Sequence, residues 1–69
     1  VKKKWVAGWN MPGYLPEMEP VEFDSRNEAT EFLVNELVSE GASESEARRE
    51  LAEYGETQYK EYVYWVTQG

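Results

Sequence analysis

Two short stretches, Ser25-Arg26-Asn27-Glu28 and Ser43-Glu44-Ser45-Glu46, constrain this chain more than any others. Each has the form S-x-x-E. The serine hydroxyl accepts from a backbone N–H of the first helical turn and the glutamate reaches back, a capping box that starts a helix. After the first box, Ala29, Phe32, Leu33 and Leu37 recur at helical spacing, and Val34 and Val38 widen the stripe. Gly41 follows, suited to a left-handed helix end. After the second, Ala47, Leu51 and Tyr54 stand at i, i+4 and i+7, and Gly55 closes the run. Two capped helices joined by a short turn predict a helical hairpin.

The flanking segments have a different period. Lys4–Met11 (KWVAGWNM) alternates, with Trp5, Ala7, Trp9 and Met11 on one face, and is predicted as a strand. Gly8 marks a bulge or a close approach of another backbone. Val21-Glu22-Phe23 alternates briefly behind Pro20, which suits a short edge strand. Tyr59–Thr67 (YKEYVYWVT) reads as the last strand and is apolar on both faces, with Val63 and Trp65 on one side and Tyr62, Tyr64 and Val66 on the other. The expected fold is α+β, a small two-layer sandwich of order ββααβ, in which a three-stranded sheet carries the helical hairpin on one face. Residues 1–69 form a single domain, with Phe32, Leu33, Leu37, Leu51, Val63 and Trp65 as its core.

The connection Pro12–Pro20 (PGYLPEMEP) holds all three prolines of the chain. Pro12-Gly13 fits the centre of a type II turn. Three prolines restrict the unfolded chain, so ordering a long connection costs less. Tyr14, Leu15 and Met18 are expected to pin the loop to the sheet, leaving Glu17 and Glu19 in water. The same stiffness suits a preorganised recognition loop.

Composition narrows function mainly by exclusion. A chain of 69 residues removes only about 60% of its unfolded surface from water, so packing or a partner must supply stability. There is no Cys and no His, which excludes disulfides, thiol chemistry, an ordinary zinc site and the commonest general base. Ser25 and Ser43 are committed as caps, so the chain is read as a non-enzyme without catalytic residues or cofactor. Glu17, Glu19, Glu22 and Asp24 lack the calcium-loop pattern and read as a solvated acidic segment, with no metal site. The N-terminal Lys2-Lys3-Lys4 has the charge of a signal peptide without its apolar run, and nothing approaches the ~20 apolar residues of a membrane span. The expectation is a cytoplasmic protein that does not contact a membrane.

Fourteen acids stand against seven bases, a net charge of −7. Three of the bases are Lys2–Lys4, so the remaining chain is more acidic still and disfavours direct nucleic-acid binding. Glu28 and Glu46 serve the caps, and Glu44–Arg48 and Glu46–Arg49 are helix-spaced pairs. Glu31, Glu36, Glu40, Glu50 and Glu53 are left over, and together they form a candidate acidic surface that imitates a phosphate array.

The aromatics form the second candidate site. With Val63 and Trp65 under the helices, Tyr62 and Tyr64 lie on an open sheet face, and Trp5, Trp9 and Tyr14 join them as candidate interaction residues. The alternative is the reverse packing, or mutual cover by Trp5, Trp9 and the loop.

PGYLPEMEPVEFDSRNEATEFLVNEL and the closing YVYWV resemble a loose group of small uncharacterised bacteriophage and actinobacterial proteins. These share a GYLPE-x-xP-like loop, an F-x-S/T-x-x-E-A helix start and a terminal Y-x-Y-W-V strand. The second helix departs from the pattern. The resemblance implies no activity and no functional residues, only a phage or prophage accessory role acting on host machinery. The leading expectation is therefore a non-enzymatic protein-interaction module that joins itself as a homodimer or docks a host protein through an aromatic sheet face and the stiffened loop. The second is an acidic nucleic-acid mimic that inhibits a host DNA- or RNA-binding protein.

Overall fold

Each capping serine meets the N–H that its spacing predicts. In the computed structural model, which describes residues 4–15 and 19–69, Ser25 Oγ accepts from the Glu28 N–H at 3.2 Å and Ser43 Oγ from the Glu46 N–H at 3.4 Å. They begin helices α1 (Arg26–Ser39) and α2 (Glu44–Tyr54). Gly55 ends α2 with φ 76°, its N–H donating to the Leu51 carbonyl at 3.0 Å. Its own carbonyl accepts from the Val66 N–H at 2.8 Å, and a Cβ there would stand 3.4 Å from the Val66 carbonyl oxygen. A side chain would meet both the left-handed penalty and that close approach.

Strands β1 (Trp5–Asn10), β2 (Val21–Phe23), β3 (Glu56–Tyr59) and β4 (Tyr62–Gln68) complete the order ββααββ. They form one antiparallel sheet in the order β2-β1-β4-β3, with the first and last strands adjacent at its centre. The α+β class and the helical hairpin agree with the sequence. The three-stranded ββααβ arrangement is corrected to four strands. The segment read as one strand from Tyr59 is a hairpin that begins at Glu56 and turns at Lys60-Glu61, pairing Tyr59 with Tyr62. Lys60 takes φ 55° there, a conformation that hairpin turns usually assign to Gly, Asn or Asp. No turn residue announced it. The alternation of Thr57 and Tyr59 against Glu56 and Gln58 was the available signal.

The pleat then decides which residues meet the helices. Tyr64 and Val66 are buried with Ala7, Ala29, Leu33, Val34, Leu37, Ala47 and Leu51, while Trp5, Trp9, Phe23, Phe32, Tyr59 and Tyr62 pack around them. The sheet is therefore turned over relative to the expectation that put Val63 and Trp65 in the core. Those two lie half-buried on the opposite face, where Trp65 pairs with Gly8 and Val63 with Asn10. A Cβ on Gly8 would meet the indole at 2.9 Å, so the missing side chain is what lets the ring lie across β1, a cross-strand cover for glycine. Trp65 Nε1 donates to Asn10 Oδ1 at 2.8 Å and holds it there. Phe32 is likewise only partly buried. As expected, β2 is a short strand at the sheet edge.

Arg26 closes the hairpin from the far side. Its guanidinium donates to the Leu51 and Ala52 carbonyls near the end of α2 (3.2 and 3.1 Å) and lies 5.8 Å from the Trp5 ring centroid. One cation thus ties the start of α1 to the negative end of α2.

The Pro12-Gly13 turn forms as predicted, with Gly13 at φ 84° and the Tyr14 N–H donating to the Met11 carbonyl at 3.0 Å. Asn10 Nδ2 braces it through the Met11 and Tyr14 carbonyls. Tyr14 and Leu15 are not pinned to the sheet, being 68% and 89% exposed. The backbone bonds that hold this turn leave their side chains in water. Glu17 and Met18, also assigned roles in the loop, lie outside the described residues. Among the described residues no helix is long and apolar enough to cross a membrane.

Candidate functional site

The register brings three features to one end of the molecule. β1 ends at Asn10 opposite Val63, next to the Lys60-Glu61 turn, and the Pro12-Gly13 turn follows at once. The third feature is the C-terminus of α1, because Tyr59 on β3 donates its hydroxyl to the Glu40 carbonyl at 3.1 Å. Between the end of α1 and the β3–β4 hairpin lies a cleft of about 380 Å³ lined by Trp9, Tyr59, Tyr62 and Tyr64, with Glu40, Lys60 and Glu61. That volume falls within the range of about 300–1,000 Å³ typical of small-ligand sites.

Its walls are held in place. Trp9 stacks on Phe32 (6.1 Å between centroids, 27° between planes) and leans on Tyr64 (5.4 Å, 35°). Phe32 in turn contacts Phe23 at 5.3 Å. Tyr59 is fixed by its bond to α1, and Gly41 accommodates that ring because a Cβ there would stand 3.3 Å from the Tyr59 hydroxyl. Aromatic pairs of this geometry add about 0.5–1.5 kcal/mol each beyond their burial, so Trp9 and Tyr64 are braced before any ligand arrives.

The cleft is negative. Glu40 caps α1 and no basic residue lies in the helix's last turn, so the partial charge of the helix end is not neutralised. Burial pushes the Tyr64 phenol above its ordinary value of 10.0, and the carboxylates of Glu40 and then Glu36 push it further. Tyr64 is therefore neutral at neutral pH, and the negative potential comes from the glutamates. An acid with a raised pKa in the folded state stabilises the fold below its unfolded pKa of ~10 and loses that contribution as pH rises through the folded value. Urea midpoints followed from pH ~8 to ~11 should fall more steeply for the native chain than for Tyr64→Phe. Parallel curves would show that Tyr64 carries no such linkage.

The candidate interaction residues are only partly brought together. Trp9, Tyr62 and Tyr64 share the cleft, and Trp5 sits at the other end of β1, under Arg26. Tyr14 is exposed in the turn that follows β1 and does not line the cleft. The open Tyr62–Tyr64 sheet face is corrected. The helices cover that face, and the uncovered one bears Val6, Val63 and Trp65 around Gly8 and Asn10. Tyr59, Lys60 and Glu61 join the cleft lining without standing out in the sequence, because no turn residue marks the hairpin that presents them.

The candidate acids divide among several places. Glu31 pairs with Arg48 between the helices, and Glu50 accepts from the Thr57 hydroxyl. Glu40 lines the cleft and Glu36 acts on Tyr64 beside it, while Glu53 is an exposed residue of α2. Arg48 also reaches Glu44 at 3.4 Å, the expected helix-spaced pair, and Arg49 lies 3.9 Å from Glu50. Among the described residues no group of three or more acids is placed to hold a metal ion. Compared with known proteins, the chain matches no family model, no curated protein and no solved structure.

Proposed function

We propose that this chain is a non-enzymatic protein-interaction module that engages its partner through the aromatic cleft, with the exposed Tyr14-Leu15 tip beside it as a second contact. One observation carries the reading: a solvent-facing cleft walled by Trp9, Tyr59, Tyr62 and Tyr64, in which Trp9 and Tyr64 are braced by ring contacts and Tyr59 by a hydrogen bond. Tyrosine and tryptophan are the side chains that most often anchor protein contacts, and a surface fixed in advance loses less entropy on binding. The resemblance to small phage proteins supports an accessory role directed at a host protein. The acidic-mimic alternative keeps Glu36 and Glu40, which stand with the cleft, but Glu31 and Glu50 already have partners within the chain.

A random-peptide display library panned on the native chain tests the reading. Enriched peptides should lose binding on Tyr62→Ala, which removes a cleft wall at a half-buried position, and keep it on Trp65→Phe, which alters the opposite face. Enrichment indifferent to Tyr62, or none at all, counts against the cleft. Solution mass across a concentration series separates the homodimer: a dimer dissolved by Tyr62→Ala would make a second copy of the chain the partner.

A further inference from the structure

We infer that the cleft receives the ammonium group of a lysine side chain presented by a partner protein, and that the chain's own Lys60 is a placeholder for it. The inference deepens the interaction reading above and rests on it. Three independent features point to a cation. The first is the aromatic lining of Trp9, Tyr59, Tyr62 and Tyr64, since aromatic ring faces attract cations within about 6 Å. The second is a cation already using one of them: Lys60 Nζ lies 5.4 Å from the Tyr59 ring centroid. The third is the unneutralised C-terminus of α1, with Glu40 in the lining, Glu36 acting on Tyr64 and Glu61 at the hairpin tip. These groups repel an anion and give a neutral apolar guest nothing that an ordinary hydrophobic pocket would not.

Lys60 also accounts for a cost. It holds φ 55° in a two-residue turn where Asn or Gly would be less strained. Its side chain nonetheless sits in the cleft lining. A lysine arriving from a partner has the same flexible stem, which can lie along the aromatic walls while its head reaches the carboxylates. It would displace Lys60 into water, where the loss is small.

The test is an NMR titration of the whole chain with Nα-acetyl-lysine methylamide, set against Nα-acetyl-norleucine methylamide, which keeps an aliphatic stem and lacks the ammonium. The lysine probe should saturate in the millimolar range and shift the Trp9 indole and the Tyr59 and Tyr62 rings, while norleucine leaves them in place. Lys60→Asn, which keeps a residue tolerant of positive φ and removes the competing cation, should tighten lysine binding about two- to fivefold. Glu40→Gln, which leaves the backbone bond to Tyr59 intact, should weaken it by a similar factor. Arg49→Gln removes a positive charge elsewhere and should not tighten it. Equal binding of norleucine, or no shifts with lysine even in Lys60→Asn, would overturn the inference. A gain in Lys60→Asn no larger than in Arg49→Gln would overturn the placeholder role. Lysine binding without any displayed peptide would remove the interaction reading and leave the cation site. Enrichment of neutral peptides at Tyr62 would do the reverse.

Discussion

Tyr64→Ala is expected to cost about 3–5 kcal/mol, the range for removing a large aromatic side chain from a packed interior. Tyr64 is 6% exposed, contacts Trp9 and shares the core with Leu33 and Leu37. At about 0.05–0.15 kcal/mol per residue, a chain of 69 residues has roughly 3–10 kcal/mol of stability in all. Much of the variant should therefore be unfolded at room temperature. Trp65→Ala removes a larger side chain but should cost less. Its ring lies half-buried on the other face, and the loss is one cross-strand packing contact and the bond to Asn10, about 1–2.5 kcal/mol together. Urea midpoints by far-ultraviolet circular dichroism read both. The opposite ranking would mean that Trp65, not Tyr64, lies under the helices. The result also governs how the cleft is probed, since binding lost in Tyr64→Ala would report unfolding, whereas Tyr62→Ala reports the surface.

Leu51→Ala should cost about 2–5 kcal/mol. The helix α2 buries only Ala47 and Leu51, so a single large side chain anchors it to the rest of the protein. The Leu51 carbonyl also accepts from Gly55 and from Arg26, and both bonds depend on the helix staying docked. The expected consequence is not confined to a cavity. Amide exchange should rise throughout α2 and β3, while β1 and β4 keep their protection until global unfolding. Uniform loss of protection across the sheet would show that α2 is not a separable unit, and a midpoint shift below about 1 kcal/mol would show that other contacts hold it.

The candidate site was legible in its residue types and not in its place. Trp9, Tyr62 and Tyr64 stand out from the sequence as an aromatic group, and Glu36 and Glu40 as acids with no capping task. That they meet at one cleft follows from long-range pairings, Trp9 with Tyr64 across the centre of the sheet and Tyr59 with the end of α1. Tyr59 and Lys60 look in sequence like the start of a continuous strand, since a turn made by Lys60 and Glu61 carries no glycine, asparagine or proline to mark it. Tyr14 and Leu15 illustrate the opposite error. Apolar residues beside a stiff turn look pinned, but the bonds that hold this turn come from the Asn10 amide and the Tyr14 N–H, which make no demand on either side chain.

What the sequence by itself determined is local: both helix starts, the end of α2 and the Pro12-Gly13 turn. Each rests on a side chain or a φ value that acts within four residues of its own position, so no distant part of the chain can reverse it. Only the tertiary structure decided which face of β4 the helices cover. That strand is apolar on both sides, and its own pattern of Tyr62, Val63, Tyr64, Trp65 and Val66 states no preference. The decision came from β1, where Ala7 is small enough to lie fully buried beneath the helices beside Val66, and Gly8 leaves room on the other side for the Trp65 ring. A one-residue change in that register would exchange every side chain between the faces. The face of β4 is thus set by the volumes missing from the strand beside it.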